Sequence, residues 1–328
     1  MRTHPPFQFL FFFLFFNIFL SLSAQDTGEP NFFEWAANRE NVRAGMLSVP
    51  ENHDNPDGRK IEIAYAVLQR RNQDSQAYPV ILFSGGPGES SLAPGMVDFL
   101  LEHPFLEDRD FILFDQRGIG YSSPLPDMSL DTFLVLAADA DPTEERRLMD
   151  GVMKKYQGLC ADRNIDPKFY NTVQNAQDVG MLFQHLGYKK YNLYGGSYGT
   201  RLGRVVQDYF PQLVHASILD SPSPLSGDFL IDRLDSYNLS LSRIFEYCDN
   251  TPECREKYPS LKNRYFEAIA GLKENPIKTA VNDTIDFVIN PQDGIYLLRR
   301  LLYMGNAREK APEMIQALQM GSGDIIQE

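Results

Sequence analysis

Residues 190–200 read KYNLYGGSYGT, a short run of alternating apolar residues followed by the pattern Gly-x-Ser-x-Gly. The alternation indicates a strand, and residues 200–209 have the pattern of a helix. Ser197 is therefore predicted to lie on a sharp turn between the two, where Gly195 and Gly199 leave room because neither has a Cβ. Since chance produces this pattern in about one chain in ten of this length, the remaining sequence has to support the interpretation.

Length and composition indicate a globular protein. The chain has 328 residues, 43% of them hydrophobic and 23% charged, and its formal net charge is −13. This length fits one large domain or two modest ones. The acidic balance argues against a nucleic-acid partner, because no basic patch is present to neutralise phosphates. The histidines are scattered and have no ligand-like neighbours, so we predict no metal and no cofactor; they are His4, His53, His103, His185 and His215.

The first 24 residues have the pattern of a secretory signal peptide. A basic start precedes an apolar run over residues 7–20, and small residues end at Ala24. The run is short for a membrane span, so we expect cleavage near Ala24 or Gln25, export to the periplasm or the medium, and no stable membrane insertion afterwards. An uncleaved anchor is the alternative.

An exported protein can form disulfides, and this chain has three cysteines. Cys248 and Cys254 lie six positions apart around a Thr-Pro turn, and we predict that they pair. Cys160 is then left over, either free and buried or awaiting a partner outside this sequence.

Strands and helices alternate through the first two thirds of the chain. Residues 44–50 and 61–68 read as an antiparallel hairpin, and residues 78–83, 110–115 and 214–220 read as further strands. Helical patterns lie between them, which predicts parallel βαβ units and a sheet covered on both faces. Residues 226–328 read as mostly helical. We therefore predict a signal peptide over 1–24, an α/β core over 25–225 and a helical lid over 226–328.

Three glycine-bearing loops follow three of the predicted strands. They are Gly85–Gly88, Asp115–Ser122 and the turn at Ser197. In a parallel sheet such loops gather at the carboxyl edge, where sites form. The first loop allows backbone N–H groups to approach a substrate carbonyl, as an oxyanion hole requires.

Together these loops resemble the α/β-hydrolase fold, specifically the proline iminopeptidase and tripeptidyl aminopeptidase group of serine peptidases. The stretch 170–178 and the Cys-x5-Cys spacing also resemble the secreted, tripeptidyl-aminopeptidase-like branch. The resemblance implies that Ser197 is the nucleophile of a hydrolase acting on a peptide or small acyl substrate. It also implies that the backbone N–H groups of Gly86, with Gly85 as the other possibility, and of Tyr198 form the oxyanion hole.

Two charged residues near these loops have open roles. Arg117 is expected to tie loops together through a salt bridge rather than to contact substrate. Glu89 lies beside the predicted oxyanion loop, where it is either a solvated carboxylate, which we favour, or a group that meets a substrate amine.

The catalytic acid and base are not evident in this sequence. In this fold they follow the serine in the order Asp or Glu, then His. The only histidine after Ser197 is His215, which begins the next predicted strand and belongs at the opposite edge of the sheet. Asp220 ends that strand and is expected to be structural, although it could serve as the acid. We therefore expect the chain to stop within its lid, before the last strands of the sheet, and to be inactive as given.

Three functions are consistent with the sequence. The first is an exported serine aminopeptidase that releases N-terminal residues or short peptides. The second is an esterase or lipase-like hydrolase, since one fold hosts many acyl substrates. The third is a non-catalytic or inactive hydrolase-fold protein, because the triad Asp and His are not found. Neither the cleavage preference nor the oligomeric state follows from the sequence.

Overall fold

The computed structural model describes residues 32–281 and 285–323, so the predicted signal peptide over 1–24 lies outside the described residues. The helices are α1 Phe32–Ala37, α2 Pro94–Leu101, α3 Ser129–Ala137, α4 Pro142–Asp162, α5 Thr172–Leu186, α6 Tyr198–Tyr209, α7 Phe229–Asn250, α8 Pro252–Lys257, α9 Leu261–Glu274, α10 Pro291–Leu301 and α11 Ala307–Met320. The strands are β1 Val42–Pro50, β2 Lys60–Leu68, β3 Val80–Phe83, β4 Phe111–Phe114, β5 Tyr191–Gly196, β6 Val214–Asp220, β7 Ile277–Val281 and β8 Ile285–Ile289.

Six strands form one mixed sheet in the order β1-β2-β4-β3-β5-β6. β1 and β2 form an antiparallel hairpin, and β2 pairs antiparallel with β4. The strands β4, β3, β5 and β6 are parallel. The predicted mostly parallel sheet with a hairpin at one edge is confirmed, and each strand predicted for it is present.

Helices cover both faces of this sheet because its strands alternate between two hydrophobic clusters. On β2, Ile63 belongs to the cluster that includes residues of α5 and α6, whereas the next residue, Ala64, belongs to the cluster that includes residues of α1 and α2. On β4, Phe114 and Leu113 divide in the same way. The short strands β3 and β4 are apolar throughout because they are buried from both sides.

The described chain divides into two compact units. We call residues 32–127 and 155–225 the sheet unit, and residues 128–154 and 226–323 the helical unit. The contacts group residues 128–154 with the helical unit, whereas the prediction placed them in the core. Residues of α3 pack within the helical unit: the ring of Phe133 lies 6.0 Å from that of Phe287, and Ala137 is buried in the same hydrophobic cluster.

The helical unit also contains an antiparallel hairpin, β7–β8, where the sequence predicted mainly helices. Ile277, Phe287 and Ile289 are buried in this unit. The alternation of apolar and polar residues does not predict these strands clearly, because each strand has only five residues.

The three cysteines all lie on helices. Cys248 on α7 and Cys254 on α8 form a disulfide, whereas Cys160 on α4 is free and buried. Among the described residues, no helix has the length and apolar character needed to cross a membrane.

Candidate active site

The three glycine-bearing loops meet at the carboxyl edge of the parallel strands. Phe83 at the end of β3 is level with Gly195 in β5, and Gly196 at the end of β5 is level with Asp220 in β6. The loops that follow these strands therefore begin side by side. The predicted gathering of the loops at one edge of the sheet is present in the structure.

Ser197 occupies the turn between β5 and α6 in a strained backbone conformation. Its φ of 51° and ψ of −118° lie in a region that non-glycine residues seldom adopt, at a cost of about 1–3 kcal/mol. Its N–H donates to the backbone carbonyl of Asp220 at 3.0 Å, and its side chain is exposed. This conformation presents the hydroxyl above the edge of the sheet instead of packing it into the core.

The two flanking glycines make this turn possible. A Cβ on Gly195 would lie 2.5 Å from the carbonyl oxygen of Gly199, and a Cβ on Gly199 would lie 1.9 Å from the carbonyl oxygen of Phe83. Either contact is far too short for a carbon atom. The turn therefore packs directly against the end of β3, which brings the loop after β3 beside Ser197.

The predicted oxyanion-hole residues surround the serine closely. A Cβ on Gly85 would lie 3.4 Å from Cβ of Ser197, so Gly85 lies beside the serine. Gly86 follows at φ +98° and is exposed. Tyr198 is the first residue of α6, where the N–H groups have no partner within the helix. Its hydroxyl lies 2.9 Å from Oγ1 of Thr172.

Asp115 joins the loop after β4 to the loop after β3. Its fully buried carboxylate accepts from the Ser90 hydroxyl at 2.8 Å, from the Ser91 N–H at 2.8 Å and from the Tyr121 N–H at 2.9 Å. Burial raises the pKa of Asp115, and the hydrogen bonds from Tyr121 and Ser90 oppose that rise. A Cβ on Gly120 would lie 2.1 Å from this carboxylate, so the loop closes around it. These contacts give the Asp115–Ser122 loop a structural role beside the loop after β3.

Arg117 is buried and holds several segments together. Its Nε and Nη2 each lie 2.7 Å from a carboxylate oxygen of Asp178 on α5. Its Nη1 donates to the carbonyls of Glu51 at 2.6 Å and Phe169 at 2.8 Å. The salt bridge predicted for Arg117 is confirmed, and its donors face protein groups rather than the surface.

The chain is similar in sequence to a known protein family. The family model described as the alpha/beta hydrolase fold matches residues 78–267. The chain belongs to this family. It is 30% identical over 189 residues to tripeptidyl aminopeptidase from Streptomyces lividans, covering 55% of this chain and 35% of that protein. It is 31% identical over 198 residues to serine protease Hip1 from Mycobacterium tuberculosis, covering 56% of this chain and 36% of that protein.

Two further matches cover a larger share of this chain. Carboxylesterase B from Mycobacterium tuberculosis is 27% identical over 285 residues, covering 80% of this chain and 54% of that protein. The crystal structure of proline iminopeptidase from Mycobacterium smegmatis superposes with a TM-score of 0.40 at 17% identity, covering 83% of this chain and 70% of that one. The family model and the peptidase-named relatives confirm the resemblance to peptidases of the α/β-hydrolase family. The chain spans about a third of the length of the tripeptidyl aminopeptidases and Hip1 that it matches.

In this α/β hydrolase, the described histidines are engaged away from the serine. His215 begins β6, and its ring lies 4.9 Å from that of Tyr78, which precedes β3; this is the edge opposite Ser197, as predicted. His103 caps a short helix, and His185 hydrogen-bonds to a tyrosine. Within residues 32–281 and 285–323, no histidine hydrogen-bonds to Ser197.

One contact between a histidine and a carboxylate, His53 with Asp178, was not predicted from the sequence. The Nε2 atom of His53 lies 2.7 Å from Oδ1 of Asp178, and the N–H of His53 donates to the side chain of Gln174 at 2.8 Å. These residues are more than 120 positions apart, so no spacing pattern could have linked them. The same Asp178 pairs with Arg117, and the cluster therefore braces the loops of the sheet unit.

Asp220 is at the carboxyl edge, but its carboxylate is held locally. One oxygen accepts from the hydroxyl of Tyr194 at 3.1 Å and the other accepts from the hydroxyl of Ser221 at 3.1 Å. Burial, with a smaller contribution from Asp220, raises the pKa of Tyr194 to about 12. The contacts of Asp220 agree with the structural role that the sequence favoured.

The helical unit has an open cleft of about 490 Å³ that includes none of the predicted site residues. Its lining includes Ser240, Arg243, Tyr247, Thr251, Met304 and Arg308. Among the described residues, no group of three or more histidine, cysteine, aspartate or glutamate side chains is placed to hold a metal ion.

Proposed function

We propose that this chain carries the nucleophile and oxyanion hole of an exported serine aminopeptidase. The observation that carries the proposal is the strained, exposed Ser197 at φ 51°, with Gly85 of the predicted oxyanion loop beside it. Strain of this kind is retained where the surrounding structure enforces it, and it concentrates at functional sites. The peptidase-named relatives favour a peptide substrate, and the signal-like residues 1–24 favour export.

The proposed reaction passes through an acyl-enzyme. The Oγ of Ser197 bonds to the carbonyl carbon of the scissile amide, the carbon–nitrogen bond breaks, and the amine leaves with a proton. The N–H groups of Tyr198 and of Gly86 or Gly85 stabilise the oxyanion, and water then hydrolyses the ester. The serine must lose its proton to a base. Since the described residues place no histidine on Ser197, we expect the 328-residue chain alone to turn over no substrate.

Active-site labelling of the chain tests the role of the serine. A fluorophosphonate probe is expected to label Ser197 slowly, and the Ser197→Ala variant is expected not to react. An exposed serine of the helical unit, Ser236, provides a matched control, since Ser236→Ala should leave labelling unchanged. Labelling that survives Ser197→Ala would contradict the assignment of the nucleophile. Rapid stoichiometric labelling would show that this chain does contain a base.

An esterase is the second candidate, favoured by the match to carboxylesterase B over 80% of this chain. The natural gene product that contains this sequence should be assayed with alanyl-, prolyl- and tripeptidyl-anilides and with short-chain esters. We expect hydrolysis of the anilides that carry a free amino terminus. A strong preference for the esters would replace the peptidase proposal with the esterase one.

A further inference from the structure

Two buried amide side chains hold the start of the predicted oxyanion loop. Nε2 of Gln116 donates to the backbone carbonyl oxygen of Ser84 at 3.2 Å, and Nδ2 of Asn175 donates to Oε1 of Gln116 at 2.7 Å. All three residues are buried, and all belong to the sheet unit. A chain of hydrogen bonds therefore runs from helix α5, through the loop after β4, to the loop after β3.

The far end of the oxyanion loop is held as well. The hydroxyl of Ser84 donates to the backbone carbonyl oxygen of Glu89 at 2.9 Å, which links the residues that flank Gly85–Gly88. The side chain of Glu89 is half-buried. Beyond it, the N–H of Ser91 donates to the buried carboxylate of Asp115 at 2.8 Å. The loop is thus anchored at both ends, and its first anchor is the carbonyl that Gln116 holds.

The hydrogen bond to Ser84 also fixes a backbone donor. Ser84 and Gly85 are joined by a trans peptide group, which is planar and whose carbonyl oxygen and N–H point in opposite directions. By holding the carbonyl, Gln116 sets the direction of the Gly85 N–H and the point from which Gly86 continues. These two glycines are the ones predicted to supply the oxyanion donor of this loop.

The polar character of the amide pair has a free-energy cost. A buried polar group destabilises the fold unless it is hydrogen-bonded, and Oδ1 of Asn175 has no partner among the described residues. Apolar side chains of similar size would avoid this cost. They would not provide a donor to the Ser84 carbonyl, so what the amides add is a fixed direction for that peptide group.

Helix α5 contacts the segments of both predicted oxyanion donors. Thr172 lies one turn before Asn175, and its Oγ1 is 2.9 Å from the hydroxyl of Tyr198, whose N–H is the other predicted donor. The first turn of α5 therefore contacts Tyr198 directly and reaches Ser84 through Gln116.

We infer that Gln116, oriented by Asn175, is a positioning residue that sets the oxyanion donor of the loop after β3 relative to Ser197. This inference rests on the proposed hydrolase function. Gln116 acts through the backbone of Ser84 and not on the substrate. A displaced donor stabilises the developing oxyanion less, so the loss of Gln116 should slow the chemical step without weakening substrate binding.

The rate of active-site labelling tests this inference. Gln116→Met changes the side-chain volume little and removes both hydrogen bonds. We expect the fluorophosphonate probe to label Ser197 about tenfold more slowly, since misplacement by about 1 Å can lower a rate up to about 100-fold. In the natural gene product, kcat for the anilide or ester that it hydrolyses should fall by a similar factor, with KM unchanged.

Gln174→Met is the matched control. Gln174 is another buried amide of α5, and it accepts from the N–H of His53 at 2.8 Å. The same change is made there, and a buried hydrogen bond is again lost, so a similar loss of stability is expected in urea denaturation. The labelling rate should stay at that of the parent chain.

A second variant and a second measurement apply even if Gln116→Met does not fold. Asn175→Leu releases Gln116 and also removes the unpartnered Oδ1, so we expect it to fold and to label about threefold more slowly. Hydrogen–deuterium exchange followed by mass spectrometry should be faster over residues 84–92 in this variant and unchanged there in Gln174→Met.

Three results would overturn the inference. These are labelling of Asn175→Leu and Gln116→Met at the parent rate, slowing in Gln174→Met as large as in Gln116→Met, and unchanged exchange over residues 84–92 in Asn175→Leu. Failure of the probe to label Ser197 in the parent chain would instead contradict the proposed function. The exchange measurement would still show whether the amide pair holds the loop.

Discussion

The turn at Ser197 requires that the two nearby glycines, Gly195 and Gly199, have no Cβ. Gly199→Ala would place a Cβ 1.9 Å from the carbonyl oxygen of Phe83. Because this neighbour is backbone at the end of a buried strand, β3 or α6 has to shift. We expect a loss of about 3 kcal/mol or more in the free energy of unfolding and loss of Ser197 labelling, measured by urea denaturation and by probe incorporation.

The same substitution at an open helical site controls for the change itself. Gly158 on α4 has no atom within 4 Å of its Cβ position, so Gly158→Ala should stabilise the chain by about 0.5–1 kcal/mol. If Gly199→Ala were as stable as the Gly158→Ala variant, the close approach of α6 to β3 would be refuted.

The buried ion pair between Arg117 and Asp178 leads to a second prediction about a single residue. Arg117→Met would leave the carboxylate of Asp178 buried with only His53 beside it. We expect a loss of about 3–5 kcal/mol in the free energy of unfolding, because an uncompensated charge remains in the interior. The matched control is Arg204→Met, which removes a solvent-exposed pair with Asp208 and should cost at most about 1 kcal/mol. Similar losses for both variants in urea denaturation would contradict the role of Arg117.

Among the elements, helix α10 begins with a carboxylate that is disfavoured at neutral pH. Burial raises the pKa of Asp293 to about 6; the N–H of Asn290 opposes the rise, and the carboxylates of Glu145 and Asp139 add to it. A carboxyl group whose pKa is raised on folding stabilises the fold below its unfolded pKa of about 4, and this stabilisation is lost as the pH rises through about 6.

Asp293→Asn should therefore stabilise the helical unit at about pH 8 and change it little at about pH 4. The gain is expected to be about 1 kcal/mol, since solvent screens a partly exposed group. An asparagine oxygen can still accept the capping hydrogen bond from the N–H of Asn290. Thermal unfolding at the two pH values measures the effect, and an equal loss of stability at both would contradict it.

Local patterns predicted most elements and failed where packing is long-range. The strands β3 and β4 are apolar runs ending in glycine-bearing loops, so both the strands and the position of the site follow from the sequence. The grouping of Phe133 with Phe287 does not, because no local pattern relates residues so far apart in sequence.

At the scale of the whole molecule, the sheet has an open edge. In the described residues β6 pairs only with β5. Two consecutive residues of β6, Ile218 and Leu219, are 48% and 41% exposed. Successive residues of a strand point to opposite faces, so apolar surface is open on both faces at this edge. Unpaired strand edges of this kind promote association between chains.

We therefore expect the 328-residue chain to self-associate at about 10 µM, and Ile218→Lys to shift it toward monomer, because a charged side chain on an edge strand opposes further pairing. Sedimentation velocity measures the distribution. Leu239→Lys is the control: this residue is 54% exposed, and the change adds the same charge on a helix, α7, instead of on a strand. If Leu239→Lys reduced association as strongly as Ile218→Lys, association would depend on general solubility and not on the edge of β6. A monomeric parent chain at this concentration would contradict the prediction directly.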